Sequence, residues 1–286
     1  MKYTAIGGGH GTATTLRALR LMGGEVCAVV SVADDGGSTG VLRDVLGIAG
    51  VGDIRKCLVA LANDHQPWEE FFEYRFPDEA LGRHALGNLF LAAALGNIPS
   101  LEGAIATVAQ LIGATGSVLP ASQVGVDLEA ETRTGTVQGQ VAIGESSGIT
   151  QIRTTPVDVV APKAACEAIK SSDLVVIGPG SLYTSVLAAC VVPGINDALS
   201  QSSAKCVWVA NLQEEIPETE GMGIVGQLNA LRSHGVRLDA VVVADSCLEV
   251  DFPQDVAVFR SDVASPNGKV HDPEKLARVF TQVMAD

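Results

Sequence analysis

Three consecutive glycines, Gly7-Gly8-Gly9, end the short run Lys2-Tyr3-Thr4-Ala5-Ile6 and lead through His10-Gly11-Thr12 into the helix-forming stretch Ala13–Leu19. The order is strand, bulk-free turn, helix. A turn without side chains lets backbone N–H groups approach a ligand closely, and the N-terminus of the following helix favours negative charge. This arrangement constrains the chain to a fold in which strand ends meet helix starts, and it points to a phosphorylated, nucleotide-type ligand.

The same alternation runs through most of the sequence. Residues 2–6 read as a strand and 12–22 as a helix. Glu25–Ala33 is a valine-rich second strand. Helical patterns cover Val41–Leu46, Ile54–Ala62, Asn88–Leu95 and Leu101–Leu111. From Gly113 to Val160 the texture changes, with alternation through Thr136–Ile143, and this stretch reads as a small β-rich insertion. Helix and strand then alternate again: Pro162–Lys170, Asp173–Ile177, a helix from Tyr183 to Ala189, Cys206–Ala210, Gly223–Ser233, Ala240–Ala244, Val256–Phe259 and Pro273–Met284. No linker or tandem repeat divides the chain. The expectation is one α/β domain over residues 1–286, Rossmann-like and doubly wound, with a mostly parallel sheet.

Apolar residues make up 47% of the 286, enough for a large core. The formal net charge is −14, and no lysine–arginine cluster stands ready for a phosphodiester backbone. Nucleic acid is therefore excluded as a partner. A bound phosphate must be held by backbone dipoles, a few cations or a metal. The six cysteines form no C-x-x-C pair and read as buried thiols of a reducing, cytoplasmic compartment. Leu174–Ile195 carries no charged side chain. Gly178-Pro179-Gly180-Ser181 interrupts it after the strand, so a buried strand, loop and helix are expected rather than a membrane span.

Five polar clusters fall at strand ends or helix starts. The first supplies Gly8, Gly9, His10, Gly11 and Thr12; Thr12 stands where a dinucleotide fingerprint would have its third glycine. The second is Asp34-Asp35-Gly36-Gly37-Ser38-Thr39-Gly40, whose Gly36-Gly37-Ser38-Thr39 stretch is a further candidate to bind phosphate. One of its acids is placed to read a ribose hydroxyl, and the other to cap the next helix. The third is Gly52-Asp53-Ile54-Arg55-Lys56. Asp53 is an N-cap, a base or a metal ligand, Asp35 is the alternative metal ligand, and Arg55 or Lys56 is a phosphate cation. The fourth is Gly82-Arg83-His84-Ala85-Leu86-Gly87-Asn88, in which Asn88 opens an apolar helix. The fifth, Gly178-Pro179-Gly180-Ser181-Leu182-Tyr183-Thr184-Ser185, repeats the strand–glycine–helix logic and reads as a second anion site, with hydroxyls from Ser181, Tyr183 and Thr184.

These five clusters, in this order, resemble the YvcK-type gluconeogenesis factors of the CofD superfamily over nearly the whole chain. The resemblance implies a Rossmann-like, cytoplasmic protein that binds a UDP-sugar, notably UDP-N-acetylglucosamine. It also implies a role in cell shape and wall synthesis during gluconeogenic growth, with a cell-wall synthesis protein as partner. The CofD branch implies instead a Mg2+-dependent transfer of a phospholactyl group from a guanosine diphosphate carrier to a deazaflavin. The loop Leu212–Gly221 departs from the family pattern except at Glu218-Thr219-Glu220-Gly221. Oligomeric assembly stays open.

Overall fold

Runs such as Leu174-Val175-Val176-Ile177 and Ala240-Val241-Val242-Val243 are apolar on both faces of the pleat, which is stable only between two covering layers. A computed structural model, which describes residues 1–63, 66–77 and 83–286, places them there. Seven parallel strands form one sheet: β1 (Lys2–Gly7), β2 (Glu25–Val30), β3 (Ser117–Pro120), β7 (Leu174–Ile177), β8 (Lys205–Val209), β9 (Ala240–Ala244) and β10 (Ala257–Ser261). Their spatial order is β10-β9-β8-β7-β1-β2-β3.

That order is the doubly wound topology. From β1 the chain moves one way through β2 and β3, then returns to fill the other side from β7 to β10. Right-handed crossovers in opposite directions put helices on opposite faces. The direction reverses between β1 and β7, where the first two crossover units leave a crevice beyond the carboxyl ends of the strands.

The helices are α1 (Gly9–Met22), α2 (Gly37–Leu46), α3 (Gly52–Leu61), α4 (Trp68–Glu73), α5 (Leu86–Asn97), α6 (Leu101–Leu111), α7 (Gln140–Gly144), α8 (Lys163–Lys170), α9 (Ala188–Cys190), α10 (Ile195–Gln201), α11 (Gly223–Ser233) and α12 (Pro273–Ala285). A π-helical stretch, Leu182–Leu187, runs into α9. Helix α1 packs between α3 and α12. A second, antiparallel sheet has the order β5-β4-β6, formed by Gly135–Gln138, Asp127–Thr132 and Ile149–Thr155. It is tied to the main body by Tyr183, whose hydroxyl donates to the Ile149 carbonyl, and by His234, whose Nε2 accepts from the Ile152 amide.

The structure corrects three expectations. Residues 113–160 are not all insertion, because β3 pairs in parallel with β2 and closes one edge of the main sheet. The alternation over 136–143 is strand only to Gln138. Beyond Gly139 the chain forms α7, whose first amides, Gln140 and Val141, both donate to the Asp35 carboxylate. The second strand stops at Val30 rather than Ala33. Helices α4 and α10, short and without strong periodicity, are additional. Among the described residues no single helix is long and apolar enough to cross a membrane. The segments Leu182–Cys190 and Ile195–Gln201 are bent by 70° and lie in the core. None of the six cysteines is in a disulfide.

Phe280 of α12 is fully buried in this core. Phe280→Ala is expected to cost about 3–5 kcal/mol in urea denaturation; a loss below about 1 kcal/mol would show that α12 is not part of the cooperative unit.

Candidate functional site

Because β1 and β7 are parallel neighbours, both glycine turns leave the same edge of the sheet, side by side. Their backbones touch. A Cβ on Gly11 would fall onto the Pro179 carbonyl, so only glycine allows α1 to lie this close to the second turn. The contact is bonded as well as packed: Thr15 Oγ1 donates to the Gly178 carbonyl at 2.7 Å. Thr12 is also buried, its Oγ1 donating to the Gly8 carbonyl at 3.0 Å, and it braces the first turn from within.

The N-terminus of α1 has Gly8 as its N-cap and no side chain capping it. It opens into a cavity of about 320 Å³. Gly8, Gly9, His10 and Gly11 form one wall, and Gly180, Ser181 and Ser185 another. Asp34 enters from the end of β2, Asp53 and Lys56 from the first turns of α3, Gln140 from α7 and Glu215 from the loop after β8. Asp53 lies so close beneath Gly8 that a Cβ there would overlap its carboxylate. Lys56 Nζ sits 3.0 Å from Asp53 Oδ1. Asp34 Oδ1 accepts from the Gly36 amide at 3.0 Å. Burial, and then the charge of Asp53, hold the Asp34 carboxyl above its ordinary range. Burial, and then Lys56, hold the His10 imidazole below its own.

Not every expected residue reaches this cavity. Of the adjacent acids, Asp34 faces it, while Asp35 is engaged by the Gln140 and Val141 amides at 2.8 and 2.9 Å. Asp35 lines a separate open cleft with Gly36 and Gly37, which corrects its assignment as a metal ligand. Ser38, Arg55 and Asn88 lie buried beneath the site. Asn88 Nδ2 donates to Ser38 Oγ at 3.0 Å, Arg55 Nη1 donates to Asn88 Oδ1 at 3.2 Å, and Arg55 Nη2 pairs with Glu73 at 3.0 Å. The Ser38 hydroxyl meets His84 Nδ1 at 2.9 Å. Their role is to support α2, α3 and α5; the cation in the cavity is Lys56. Gly82 lies outside the described residues.

The second anion site is also corrected. Three of its amides are held by the protein itself: Gly180 N donates to Asn211 Oδ1 at 3.0 Å, and the Tyr183 and Thr184 amides donate to Glu218 Oε1 at 3.1 and 2.9 Å. The Tyr183 hydroxyl is turned into the core. Gly178 contributes its carbonyl to Thr15. The second turn thus supplies shape through Gly180 and Ser181, and the first supplies the uncapped helix end.

Among the described residues, no group of three or more His, Cys, Asp or Glu side chains is placed to hold a metal ion. Asp34 and Asp53 remain as two hard oxygen donors on one wall, a set that suits a divalent cation only when ligand oxygens complete its shell.

The family model described as 2-phospho-L-lactate transferase CofD matches residues 3–279. The chain belongs to the CofD family. This CofD-family protein is 36% identical over 306 residues to the "Putative gluconeogenesis factor" of Mycobacterium tuberculosis (strain ATCC 25618 / H37Rv), covering 98% of this chain and 90% of that one. It is 39% identical over 231 residues to the "Gluconeogenesis factor" of Halalkalibacterium halodurans, covering 80% and 72%. A relative in Nostoc sp. is 40% identical over 233 residues, but the match takes in 80% of this chain and only 51% of that protein, about half its length. The crystal structure of a UPF0052 family protein from Bacillus halodurans has a TM-score of 0.91 at 31% identity, covering 100% of this chain and 99% of that one.

Sequence reasoning missed Gln140 and Glu215 as lining residues, and Asn211 and Glu218 behind them; Ser185 stood in the fifth cluster without an assigned role. The strand-end rule, applied to β8 as it was to β1, β2 and β7, would have found Asn211 and Glu215.

Glu218 is 3% exposed, and burial, aided by the neighbouring charge of Glu215, pushes its carboxyl up to about 7 from an ordinary 4.5. The folded state then binds this proton more tightly than the unfolded chain. The cost of an ionised Glu218 is fully present above pH 7 and relieved as pH falls toward 4.5. Glu218→Gln is expected to melt higher than wild type at pH 8 and within about a degree of it at pH 5; an equal shift at both pH values would refute the buried-proton account. Gly11→Ala must push α1 off the second turn, and is expected to lower stability by at least about 2 kcal/mol. Unchanged melting would mean that the two turns are not in contact.

Proposed function

We propose that the protein is a nucleotide-sugar-binding regulator whose ligand is a UDP-sugar, UDP-N-acetylglucosamine being the leading candidate. The observation that carries this reading is the uncapped N-terminus of α1 opening into a cavity at the β1/β7 switch point, with Lys56 beside it. Oriented amides and one cation suit a diphosphate. Asp34, one strand away, suits a ribose hydroxyl. Relatives carry the names "Putative gluconeogenesis factor" and "Gluconeogenesis factor", and a regulator that reports wall-precursor supply to a cell-wall synthesis protein in the cytoplasm is compatible with those names. Ligand binding alters partner affinity only if the two conformations bind the ligand unequally.

Thermal melting against a panel tests this reading. UDP-N-acetylglucosamine at about a hundred times its Kd should stabilise by about 2.7 kcal/mol, a rise of several degrees, with NAD giving none. No rise with any UDP-sugar at millimolar concentration would refute it.

A second reading is favoured by the Asp34–Asp53 wall and by the family's description as a transferase. Here Asp34 and Asp53 would hold Mg2+, which would supply neutralisation of charge on the ligand's phosphates. Lys56 and the first-turn amides would orient the diphosphate, and the glycine turn keeps side chains clear of it. Incubation with magnesium, a guanosine diphosphate carrier and a deazaflavin discriminates the two. Nucleotide release that disappears in Asp53→Asn supports the transferase; absence of turnover leaves the regulator.

A further inference from the structure

Glu215 is the one side chain that the loop after β8 sends into the cavity, and an anionic ligand gives no reason for it. A third carboxylate beside Asp34 and Asp53 repels phosphate. It suits a hydrogen-bond donor. Its position is fixed from behind. Asn211 Nδ2 donates to Glu215 Oε1 at 3.3 Å, while the Asn211 amide is locked onto Gly180 by two bonds of 3.0 Å. The Glu215 amide donates to Thr219 Oγ1 at 2.9 Å.

Glu218 completes the support. Its carboxyl lies within hydrogen-bond reach of that of Glu215, and two carboxyl groups so placed hold a proton between them. With the proton on Glu218, one oxygen accepts the Tyr183 and Thr184 amides and the other donates to Glu215. Glu215 is then an oriented acceptor facing the cavity.

The sheet supplies the direction. Along its carboxyl edge the order β8, β7, β1, β2 sets Glu215, Ser181, the Gly8–Gly11 turn and Asp34 in a row. Three strand spacings separate the ends, a span of about 14 Å. A ribose at Asp34 and a diphosphate at α1 direct whatever follows toward β7 and β8.

We infer that Glu215 selects the group attached beyond the diphosphate, accepting a hydrogen bond from its hydroxyl or amide N–H, with Glu218 as its positioning residue. This rests on the nucleotide-sugar reading above.

Calorimetric titration of the full chain with UDP and with UDP-N-acetylglucosamine separates the possibilities. Glu215→Ala should weaken UDP-N-acetylglucosamine about tenfold and leave UDP as tight as before or tighter. Glu218→Gln keeps an acceptor for the two amides and a donor for Glu215, but does not titrate. Wild type should lose affinity for the UDP-sugar between pH 6.5 and 8.5 as Glu218 gives up its proton, and Glu218→Gln should stay flat. The other charged groups that face the pair's surroundings (His10, Lys56, Asp34 and Asp53 in the cavity, Arg133 and Glu220 on the far side) are common to both proteins. Circular dichroism establishes that each variant is folded. Equal losses for UDP and the UDP-sugar in Glu215→Ala, or none, overturn the selective role. A Glu218→Gln pH profile parallel to wild type overturns the positioning role. A wild-type chain that binds neither compound overturns the nucleotide-sugar reading and this inference with it.

Discussion

The backbone-to-backbone contact between the first and second glycine turns governs the rest of the site. Parallel pairing of β1 with β7 brings two strand–turn–helix units to one edge of the sheet. Any side chain at Gly11 would wedge them apart. With it absent, Thr15 crosses to the Gly178 carbonyl, and the start of α1 is pinned against Gly180 and Ser181. The crevice at the switch point is thereby narrowed to a cavity that the first-turn amides can reach across.

Two turns of similar sequence have taken opposite roles. At the first, no side chain caps the helix end, and its partial positive charge faces the cavity. At the second, Glu218 and Asn211 satisfy the amides internally. The difference follows from what lies opposite. The first turn faces α3, whose acid, Asp53, is paired with Lys56. The second faces the loop after β8, which carries Glu214, Glu215, Glu218 and Glu220. In a chain of net charge −14, the uncapped end thus meets an acid already paired with a lysine, while the second turn meets an acid, Glu218, that bonds two of its amides.

Features carried by adjacent residues were legible in the sequence. The glycine turns, most strands and the boundaries of α6 and α11 depend on local pattern, and the parallel order follows from alternation. What depended on distant partners was not legible. Asp34 and Asp35 are neighbours, and the choice between them is made by α7, more than a hundred positions along, whose amides capture Asp35. Arg55 and Lys56 are adjacent on a helix and point about 100° apart. One is buried against Asn88 and Glu73 while the other lines the cavity, and nothing within residues 52–56 says which. Residues 136–143 alternate like a strand, yet Gly139 and the Asp35 carboxylate divide them into a strand and a helical turn.

The same asymmetry bears on how one fold serves proteins described both as a phospholactate transferase and as gluconeogenesis factors. Amides at a glycine turn recognise phosphate charge and geometry whatever the rest of the ligand is. Any sequence able to form the turn supplies them. Selectivity for the remainder of a ligand must come from side chains, and on this edge those come from Asp34 at one end and from the loop after β8 at the other. That loop is bonded to the second turn through Asn211 and Glu218, while Thr219 bonds back to Glu215 within the loop itself. The composition of such a loop can change without disturbing the strands beneath it, and with it the side chains that line this end of the cavity, while the first glycine turn stays set by the backbone.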